Sequence, residues 1–424
     1  MITDRGEGEG PMKSTLTTAG HADLRARVEA AGADHDASYP GPPIVWQPVH
    51  TVYVPADRVA ADIGPAYGKA ALGLLDAHVR GPDAFTEAFG VPADLADEVR
   101  ARVAAKLVAD PVEDLRIDFE DGYGVRDDET EDAHTDLAAD AVSRAYTEGI
   151  LPRRWGPRVK SFADGGYDRA VATLDGLLTG VIDRVGALPP GFVITFPKVI
   201  ASAHVGVFAG LLARLEAALG LEAGLLRFEV QVETPRTVLD RNGAATLPAI
   251  VEAAAGRVSA AHFGVFDYTA ALGLAPEQQR LDHPACDFAR HIMQVTLAGT
   301  GVEISDGATN LAPASDDTAA VHAVWRVHAE HVRHSLAHGF YQGWDMHPAH
   351  LVSRFATVYA FHLNGFADLA ARVRAWAERT TGTSGVMDEP ATVKALLARL
   401  RRAVGCGAVT EAEALSATGL TSLR

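Results

Sequence analysis

The sequence contains little cysteine and few aromatic residues. Its 424 residues include two cysteines, Cys286 and Cys406, and aromatic side chains account for 7% of the total. No CxxC pair occurs, so the sequence supports neither a zinc ribbon nor a disulfide framework. We expect both cysteines to be small, buried or half-buried side chains. Alanine, leucine and valine supply most of the apolar side chains instead.

Motifs of several protein classes are also missing. No GxSxG elbow surrounds Ser161 or Ser305, which argues against a hydrolase triad. The glycines of GEGEG follow no strand and precede no GK[ST], so they do not form a phosphate-binding loop. Residues 1–14 lack the apolar stretch of a signal peptide, and no apolar run is long enough to span a bilayer. We therefore expect a cytoplasmic protein.

Positive charge is scarce relative to negative charge. The chain has 38 lysines and arginines against 55 aspartates and glutamates, which gives a formal net charge of −17. Such a surface repels phosphate backbones and anionic lipids, so we expect neither a nucleic-acid partner nor a membrane partner. An anionic substrate would need a local positive site, either a bound cation or a well-placed arginine.

Composition divides the chain into three parts. Residues 1–42 are polar and rich in glycine, which predicts a flexible tail with a short helix around Ala22–Ala31. Residues 43–365 alternate between strand-like and helix-like patterns, with a long insertion at about 56–112. Residues 366–424 are rich in alanine, arginine and leucine. This last part predicts a small helical region that serves as a lid or an oligomer contact.

Eight short apolar segments alternate with helical patterns of ten or more residues. This alternation predicts βαβ units and a parallel sheet. Eight repeats over this length are typical of a (β/α)8 TIM barrel. The alternative is an open doubly wound sheet, which would require a glycine-rich phosphate turn after the first strand; VYVPADRV contains none. The predicted strands are VHTVYVP, LRIDFED, PRVKSF, FVITFPKV, RFEVQVET, VSAAHFGVFD, GVEISDG and GWDMHP.

Acidic residues dominate the ends of the predicted strands. In a parallel barrel these ends face the active site, and carboxylates that converge there repel each other unless a cation lies among them. Oxygen ligands favour Mg²⁺ or Mn²⁺ over zinc. A single carboxylate at a strand end more often caps a helix or pairs with a lysine, but the whole set favours a metal site. Its acidic members are Asp118, Glu120, Asp121, Glu233, Asp267, Asp306 and Asp345, together with Arg158, Lys160, Lys198 and His347.

Three histidines recur at steps of three in the predicted helix HAEHVRHSLAH. They are His328, His331 and His334. A spacing of three drifts around a helix, and a closed metal site needs a fourth ligand. We therefore interpret these histidines as solvated or capping side chains.

Six segments, taken in order, resemble a known superfamily of TIM barrels that bind pyruvate or phosphoenolpyruvate. It comprises citrate lyase β-subunits, malyl-CoA lyases and hydroxy-oxo-acid aldolases of the HpcH/HpaI type. The resemblance covers roughly residues 47–355 and depends on the order and spacing of the segments. The stretch from FPKV to FGVFDY is also similar to malate synthase. The segments are DLRIDFEDGYG, PRVKSF, FPKV, VQVETP, AAHFGVFDYTAALG and GWDMHP.

The resemblance implies a role for each matched residue. Glu233 and Asp267 match the metal ligands of the family. Arg158 matches the arginine that binds the carboxylate of an oxo acid and stabilises an enolate. Glu120 and Asp121 match an acidic pair that orders metal-bound water or supports the ligands. The implied reaction cleaves or forms a carbon–carbon bond of a small hydroxy or oxo acid, with Mg²⁺ or Mn²⁺ as cofactor.

Other positions leave alternatives open. Lys198 is predicted to bind substrate, and Asp345 to act as an acid or base, since malate synthases place an aspartate late in the chain. CoA-dependent lyases carry GFxGKxxIHP where this chain has GFYQGWDMHP, with Gln342 and Gly343 in place of glycine and lysine. The substrate is therefore either a free acid or a CoA thioester. A malate-synthase-like condensing enzyme and a non-catalytic barrel that binds a small acid are the alternative functions, and the family implies a homo-oligomer.

Overall fold

The fold is taken from a computed structural model, which describes residues 21–41, 46–163, 165–378 and 389–423. Its central feature is one sheet of eight parallel strands. In chain order the strands are β1 His50–Pro55, β2 Asp114–Asp118, β3 Arg154–Arg158, β4 Ile194–Phe196, β5 Phe228–Val232, β6 Val258–Phe263, β7 Glu303–Ser305 and β8 Gly343–Asp345.

The sheet curls into a barrel. The strands are hydrogen-bonded in the order β7-β6-β5-β4-β3-β2-β1-β8, so each strand neighbours the next one along the chain. The first and last strands of this order meet through a parallel bridge between Ala308 and Trp344. The backbone N–H of Asp306 also donates to the carbonyl of Gln342 at 2.8 Å. The predicted TIM barrel is therefore confirmed, and the open doubly wound alternative is wrong.

Helices surround the barrel and follow its strands. In chain order they are α1 Ala22–Ser38, α2 Ile63–His78, α3 Pro82–Phe89, α4 Ala96–Ala109, α5 Asp128–Thr147, α6 Tyr167–Val185, α7 Ser202–Leu219, α8 Pro235–Val238, α9 Leu247–Ala253, α10 Val265–Ala271, α11 Pro284–Leu297, α12 Thr318–Ala337, α13 Pro348–Leu363, α14 Phe366–Ala377, α15 Pro390–Gly405 and α16 Glu411–Thr418.

Successive side chains of a strand point to opposite faces, and the strands use this alternation to separate apolar from polar groups. In β5, Phe228, Val230 and Val232 belong to the apolar layer between sheet and helices. Glu229 and Gln231, which alternate with them, are also fully buried but are polar. The barrel interior is therefore lined by polar side chains, while the main hydrophobic core lies outside the sheet.

The predicted insertion at about 56–112 contains α2, α3 and α4. Both α2 and α4 pack against α13, the helix that follows the last strand. As a result, 13 of the 16 residues of α13 are buried. The insertion thus covers the last helix of the barrel.

The two ends of the chain lie outside the barrel core. Helix α1 is longer than the predicted Ala22–Ala31, and none of its residues is buried. Residues 1–20 of the predicted tail lie outside the described part of the chain. Helices α14 to α16 form a second apolar cluster that includes Leu369, Val373 and Leu400. Their role as a lid or an oligomer contact stays a prediction.

Helix α7 is the one described helix that is long and apolar enough to cross a membrane, with a mean hydropathy of 1.3. In this fold it connects β4 to β5. Its Val205, Phe208 and Leu212 belong to the apolar layer around the barrel. This packing accounts for the 33% of α7 that is buried. The expectation that no apolar run is long enough to span a bilayer is wrong for this segment, by its length and composition.

Near the end of α7, Glu216 connects the residues just before β5 to Arg257, the residue just before β6. Its carboxylate accepts hydrogen bonds from the backbone N–H groups of Gly224 and Leu226 at 3.0 and 2.7 Å. Arg257 donates to both oxygens, at 2.6 and 2.8 Å. These hydrogen bonds, with that from Arg257 foremost, lower the pKa of Glu216 to about 2.

We expect Glu216→Gln to lower the free energy of unfolding at neutral pH by about 2 kcal/mol, the scale of a hydrogen bond to a charged group. A carboxylate with a lowered pKa contributes stability above its ordinary pKa of 4.5, and that stability is lost as the pH falls toward about 2. Urea unfolding between pH 7 and pH 2 would measure the difference. It should shrink across this window, whereas the exposed-site control Glu222→Gln should match the wild type throughout. A constant difference at all pH values would contradict the assignment.

Candidate active site

The site begins with a fork between two neighbouring strands. Asp118 ends β2 and Arg158 ends β3, and the ladder pairs them directly. Arg158 donates from Nε and Nη2 to the two carboxylate oxygens of Asp118 at 2.6 and 2.7 Å. The guanidinium also lies 5.0 Å from the ring centre of Tyr53. The sequence pattern places Asp118 at a strand end but indicates no role for it. The feature that could have revealed its role is its position two residues after Arg116, on the inner face of β2.

Asp118 also shapes the loop that follows it. Its carboxylate accepts hydrogen bonds from the backbone N–H groups of Glu120 at 3.0 Å and Gly122 at 2.8 Å. A Cβ at position 122 would lie 2.5 Å from Asp118 Oδ2, so this turn requires glycine. The acidic pair of Glu120 and Asp121 is held beside Arg158, whose Nη1 lies 3.5 Å from a Glu120 oxygen.

Lys198 gathers the acidic groups around one ammonium. Its Nζ lies 2.6 Å from Glu120, 2.7 Å from Asp121 and 3.4 Å from Asp267. Its backbone N–H donates to Glu233 Oε1 at 2.5 Å. Lys198 has a φ of 47°, a conformation that costs a non-glycine residue free energy and that occurs most often at functional sites.

Glu233 lies at the end of β5, as predicted, whereas Asp267 lies beyond the end of the neighbouring strand β6 because β6 is shorter than predicted. Glu233 follows β5 and is buried, while Asp267 is in the first turn of α10 with 44% of its side chain exposed. Gly264, directly after β6, packs against Glu233 so closely that a Cβ there would overlap it. The structure thus brings together Arg158, Lys198 and the predicted carboxylates Glu120, Asp121, Glu233 and Asp267.

Two carboxylates of this cluster have raised pKa values, and burial is the main cause of both shifts. Burial raises the pKa of Glu233 to about 8; Lys198 opposes the shift and Asp267 adds to it. Burial likewise raises the pKa of Glu120 to about 7, against the effect of Arg158. Carboxylates with raised pKa values at a strand-end rim are typical of functional sites.

The donor set fits a hard divalent cation. Glu233 and Asp267 offer carboxylate oxygens, and Mg²⁺ is usually bound by one or two carboxylates with water and substrate completing its shell. No histidine or cysteine lies among the described residues that line the cavity beside these two carboxylates, which disfavours zinc there. A cation at this place would offset the charge that Lys198 and Arg158 leave uncompensated.

A cavity of about 560 Å³ opens at this end of the barrel. We call it the mouth cavity. Its lining includes the charged residues Asp118, Asp121, Arg158, Glu233 and Asp267. Its volume is that of a small-molecule site. The rest of its wall is largely apolar and includes Tyr53, Ile63, Tyr67, Phe266, Trp344 and Met346. Ile63 and Tyr67 belong to the insertion, which therefore shapes the entrance.

Asp345 is not part of this cluster. It ends β8 on the outer face of the strand, whereas its neighbour Trp344 faces the mouth cavity. His50 Nδ1 and His328 Nε2 lie 3.0 and 3.1 Å from its oxygens, and Arg354 donates to it at 2.7 Å. Although burial opposes ionisation, Arg354 and the histidines hold the pKa of Asp345 well below its usual value. The position of Asp345 is that of a buried structural anchor, so we do not assign it the predicted acid or base role.

We expect Asp345→Ala to destabilise the fold by about 3–5 kcal/mol, since it leaves Arg354 buried without its partner. Urea unfolding would measure the loss. Asp267→Asn, at the half-exposed rim, is the matched control and should leave the free energy of unfolding nearly unchanged. A variant of Asp345 that is fully stable but inactive would restore the catalytic assignment.

The three predicted histidines do not converge on one another. His328 contacts Asp345, His331 Nδ1 lies 2.8 Å from the hydroxyl of Thr309, and His334 Nε2 lies 2.7 Å from Asp287. Their different partners explain why a spacing of three residues makes no joint site. His328 and His331 lie on the inward face of α12 and are buried hydrogen-bonding groups, so the interpretation of these two as solvated or capping side chains is wrong.

Comparison with known proteins gives a family and a fold. No curated protein matches the chain. The sequence profile of one family matches residues 28–424, and its description is "Domain of unknown function (DUF6986)". A solved citrate lyase from Burkholderia xenovorans LB400 is similar, with a TM-score of 0.55 and 20% sequence identity, covering 76% of this chain and 92% of that chain. A Haloferax volcanii malate synthase in a magnesium/glyoxylate complex has a TM-score of 0.46 and 17% identity, covering 83% of this chain and 88% of that chain. The likeness to the citrate lyase shows a shared barrel fold.

Proposed function

Because this chain belongs to the DUF6986 family, whose description names no reaction, we propose its function from the site itself. We infer a divalent-metal-dependent enzyme that cleaves or forms a carbon–carbon bond next to the carboxylate of a small hydroxy or oxo acid. One observation carries the proposal: the locked guanidinium of Arg158 and the carboxylates of Glu233 and Asp267 line the same mouth cavity. The name of the citrate lyase that shares the fold agrees with this class of reaction.

The residues divide the work by their chemistry. Glu233 and Asp267 would hold Mg²⁺ or Mn²⁺, which supplies a Lewis acid for the carbonyl of a 2-oxo acid. While Nε and one N–H of Nη2 hold Asp118, Arg158 keeps Nη1 and the second N–H of Nη2 for the substrate carboxylate and for the enolate oxygen on which negative charge develops. Asp118 keeps that guanidinium in one orientation. Glu120, with a pKa of about 7, contacts both Arg158 and Lys198 and is suited to hold or release a proton beside them.

The position that differs from the CoA-dependent lyases favours a free acid as substrate. Gly343 stands where those enzymes carry lysine, and a Cβ at Gly343 would lie 2.8 Å from Arg354. Arg354 cannot move aside freely because it is bound to Asp345. Gln342 is buried, with its side chain donating to Thr51. Neither residue offers a cation to a CoA phosphate.

The first experiment is a thermal-shift screen with Mg²⁺ and Mn²⁺, alone and with pyruvate, oxaloacetate, glyoxylate or acetyl-CoA. Ligands that bind only the folded state raise the melting midpoint. At a ligand concentration of 100 times Kd, they stabilise the folded state by about 2.7 kcal/mol. An oxo acid that stabilises the protein only with metal present supports the proposal. Thiol release from acetyl-CoA only with glyoxylate would favour a malate-synthase-like condensing enzyme. No response to either metal, with or without acids, would favour a non-catalytic barrel.

Glu233→Gln and Asp267→Asn should each abolish the metal-dependent shift and metal-dependent turnover while leaving the fold intact. Both changes keep the side-chain size but remove the charge that binds the cation. Glu277→Gln, an exposed site, is the control and should respond to metal as the wild type does. Full activity of Glu233→Gln or Asp267→Asn would contradict the assignment of these residues as metal ligands.

Arg158→Lys should keep metal binding but weaken the oxo-acid response by about ten- to a hundredfold, the effect of losing a hydrogen bond to a charged group. Lysine retains the charge but not the planar fork. Titration of the best acid from the screen, at saturating Mg²⁺, would measure the change. Equal acid affinity in both proteins would show that Arg158 does not bind the carboxylate.

A further inference from the structure

A second group of metal-ligating side chains lies between helices α11 and α12, apart from the mouth cavity. Asp287 is in the first turn of α11, and His334 and His338 are at the end of α12. Nε2 of His334 lies 2.7 Å from Asp287 Oδ1, and Nε2 of His338 lies 3.7 Å from the same oxygen. The ligand atoms of all three residues lie within 4.8 Å of one another.

The spacing of the two histidines suits a shared ligand. Residues four apart on a helix are neighbours on one face, so His334 and His338 can reach the same ion. Their rings are 4.3 Å apart between centroids. His291 lies one turn after Asp287, and its ring centroid is 5.6 Å from that of His338. The surface around the three ligands therefore offers a further imidazole.

A hydrogen bond to the other ring nitrogen of His338 determines which nitrogen can bind a metal ion. Its Nδ1 lies 2.9 Å from the backbone carbonyl of His334. A carbonyl only accepts, so Nδ1 carries the proton and the neutral ring directs the lone pair of Nε2 toward Asp287. Metal-bound histidines show this arrangement, in which the other ring nitrogen donates to a carbonyl or carboxylate.

Asp287 is also held by Arg290, which contacts the same oxygen as the two histidines. Arg290 Nη1 donates to its Oδ1 at 2.7 Å, and Arg290 Nε donates to Asp306 at 2.9 Å. Hydrogen-bonded carboxylates of this kind are typical of metal ligands that need a fixed orientation. Each of the three ligating side chains is about one-quarter exposed, with 23%, 25% and 24% for Asp287, His334 and His338, so an ion can enter from solvent.

We propose that Asp287, His334 and His338 bind one transition-metal ion of the zinc class, with His291 or a water molecule as the fourth ligand, and that this ion clamps α11 to α12. Two imidazoles and one carboxylate favour Zn²⁺ over Mg²⁺, in contrast to the oxygen donors of the mouth cavity. The role is structural, because none of the three residues lines the mouth cavity. Through Arg290 and Asp306 the clamp also steadies the end of β7, where the barrel closes onto β8.

The test is a Zn²⁺ titration of the metal-depleted full-length protein at saturating Mg²⁺, followed by calorimetry. We expect one Zn²⁺ per chain in the wild type. His338→Ala and His334→Ala should each weaken binding by at least about tenfold, since loss of a supporting contact alone has that effect at metal sites. Zn²⁺ should also raise the melting midpoint of the wild type but not of these variants. Both changes are at half-buried helix-end positions, and circular dichroism would check that the variants fold.

Two controls separate this site from other zinc binding. His35→Ala, on the exposed helix α1, should bind Zn²⁺ as the wild type does. Glu233→Gln should also keep full Zn²⁺ affinity, whatever happens to its response to Mg²⁺, so failure of the mouth site would not imitate failure of this one. Equal Zn²⁺ affinity of the wild type and His338→Ala, or loss of Zn²⁺ binding in Glu233→Gln, would overturn the proposal.

Discussion

The carboxylate of Asp118 is the group on which the arrangement of the mouth depends. Its fork with Arg158 joins the ends of two neighbouring strands, and the same carboxylate holds the backbone of Glu120 and Gly122. Glu120 then contacts Lys198, whose backbone binds Glu233. Each step is a short hydrogen bond to a charged group, which is stronger than one between neutral groups. The position of each acid in the mouth therefore follows from its neighbour.

Below the mouth, the barrel interior continues the same chemistry. Arg116 donates to Glu229 at 3.2 Å, and His262 Nε2 lies 3.1 Å from Glu229. Trp344 donates from its indole to His262 Nδ1 at 3.1 Å, which leaves the ring proton on the side of Glu229. Buried ion pairs of this kind add little net stability, because desolvation opposes their attraction. What they supply is a rigid polar floor under the residues of the mouth.

Much of the fold and most of the site could be predicted from the sequence. The alternation of short strands and helices fixed the number of strands, and polar residues at strand ends converge in any parallel barrel. That is why Arg158, Lys198, Glu120, Asp121, Glu233 and Asp267 were found together. Their metal ligation and catalytic roles remain predictions.

Asp345 shows where such reasoning fails. A strand of three residues has too short a pattern to show which face each residue takes, and a shift of one position exchanges the faces. The aspartate was assigned to the mouth, whereas Trp344 is the residue of β8 that faces it. The sequence assigned no role to Asp118 for a related reason, because its role depends on its partner Arg158 on β3. The group of Asp287, His334 and His338 joins two helices, and no local pattern reveals which faces of two helices meet.

The burial of α13 has a consequence for how the chain folds. This helix comes last in the barrel, yet it packs against α2 and α4 from the first third of the chain. The contact between His50 and Asp345 spans 295 residues of sequence. Contacts of such separation form late, since the loop-closure entropy must be overcome before they contribute. A nascent chain on the ribosome would therefore expose the apolar faces of α2 and α4 until the final barrel helix emerges. The N-terminal part of the barrel thus depends on the C-terminal half of the chain to cover these faces.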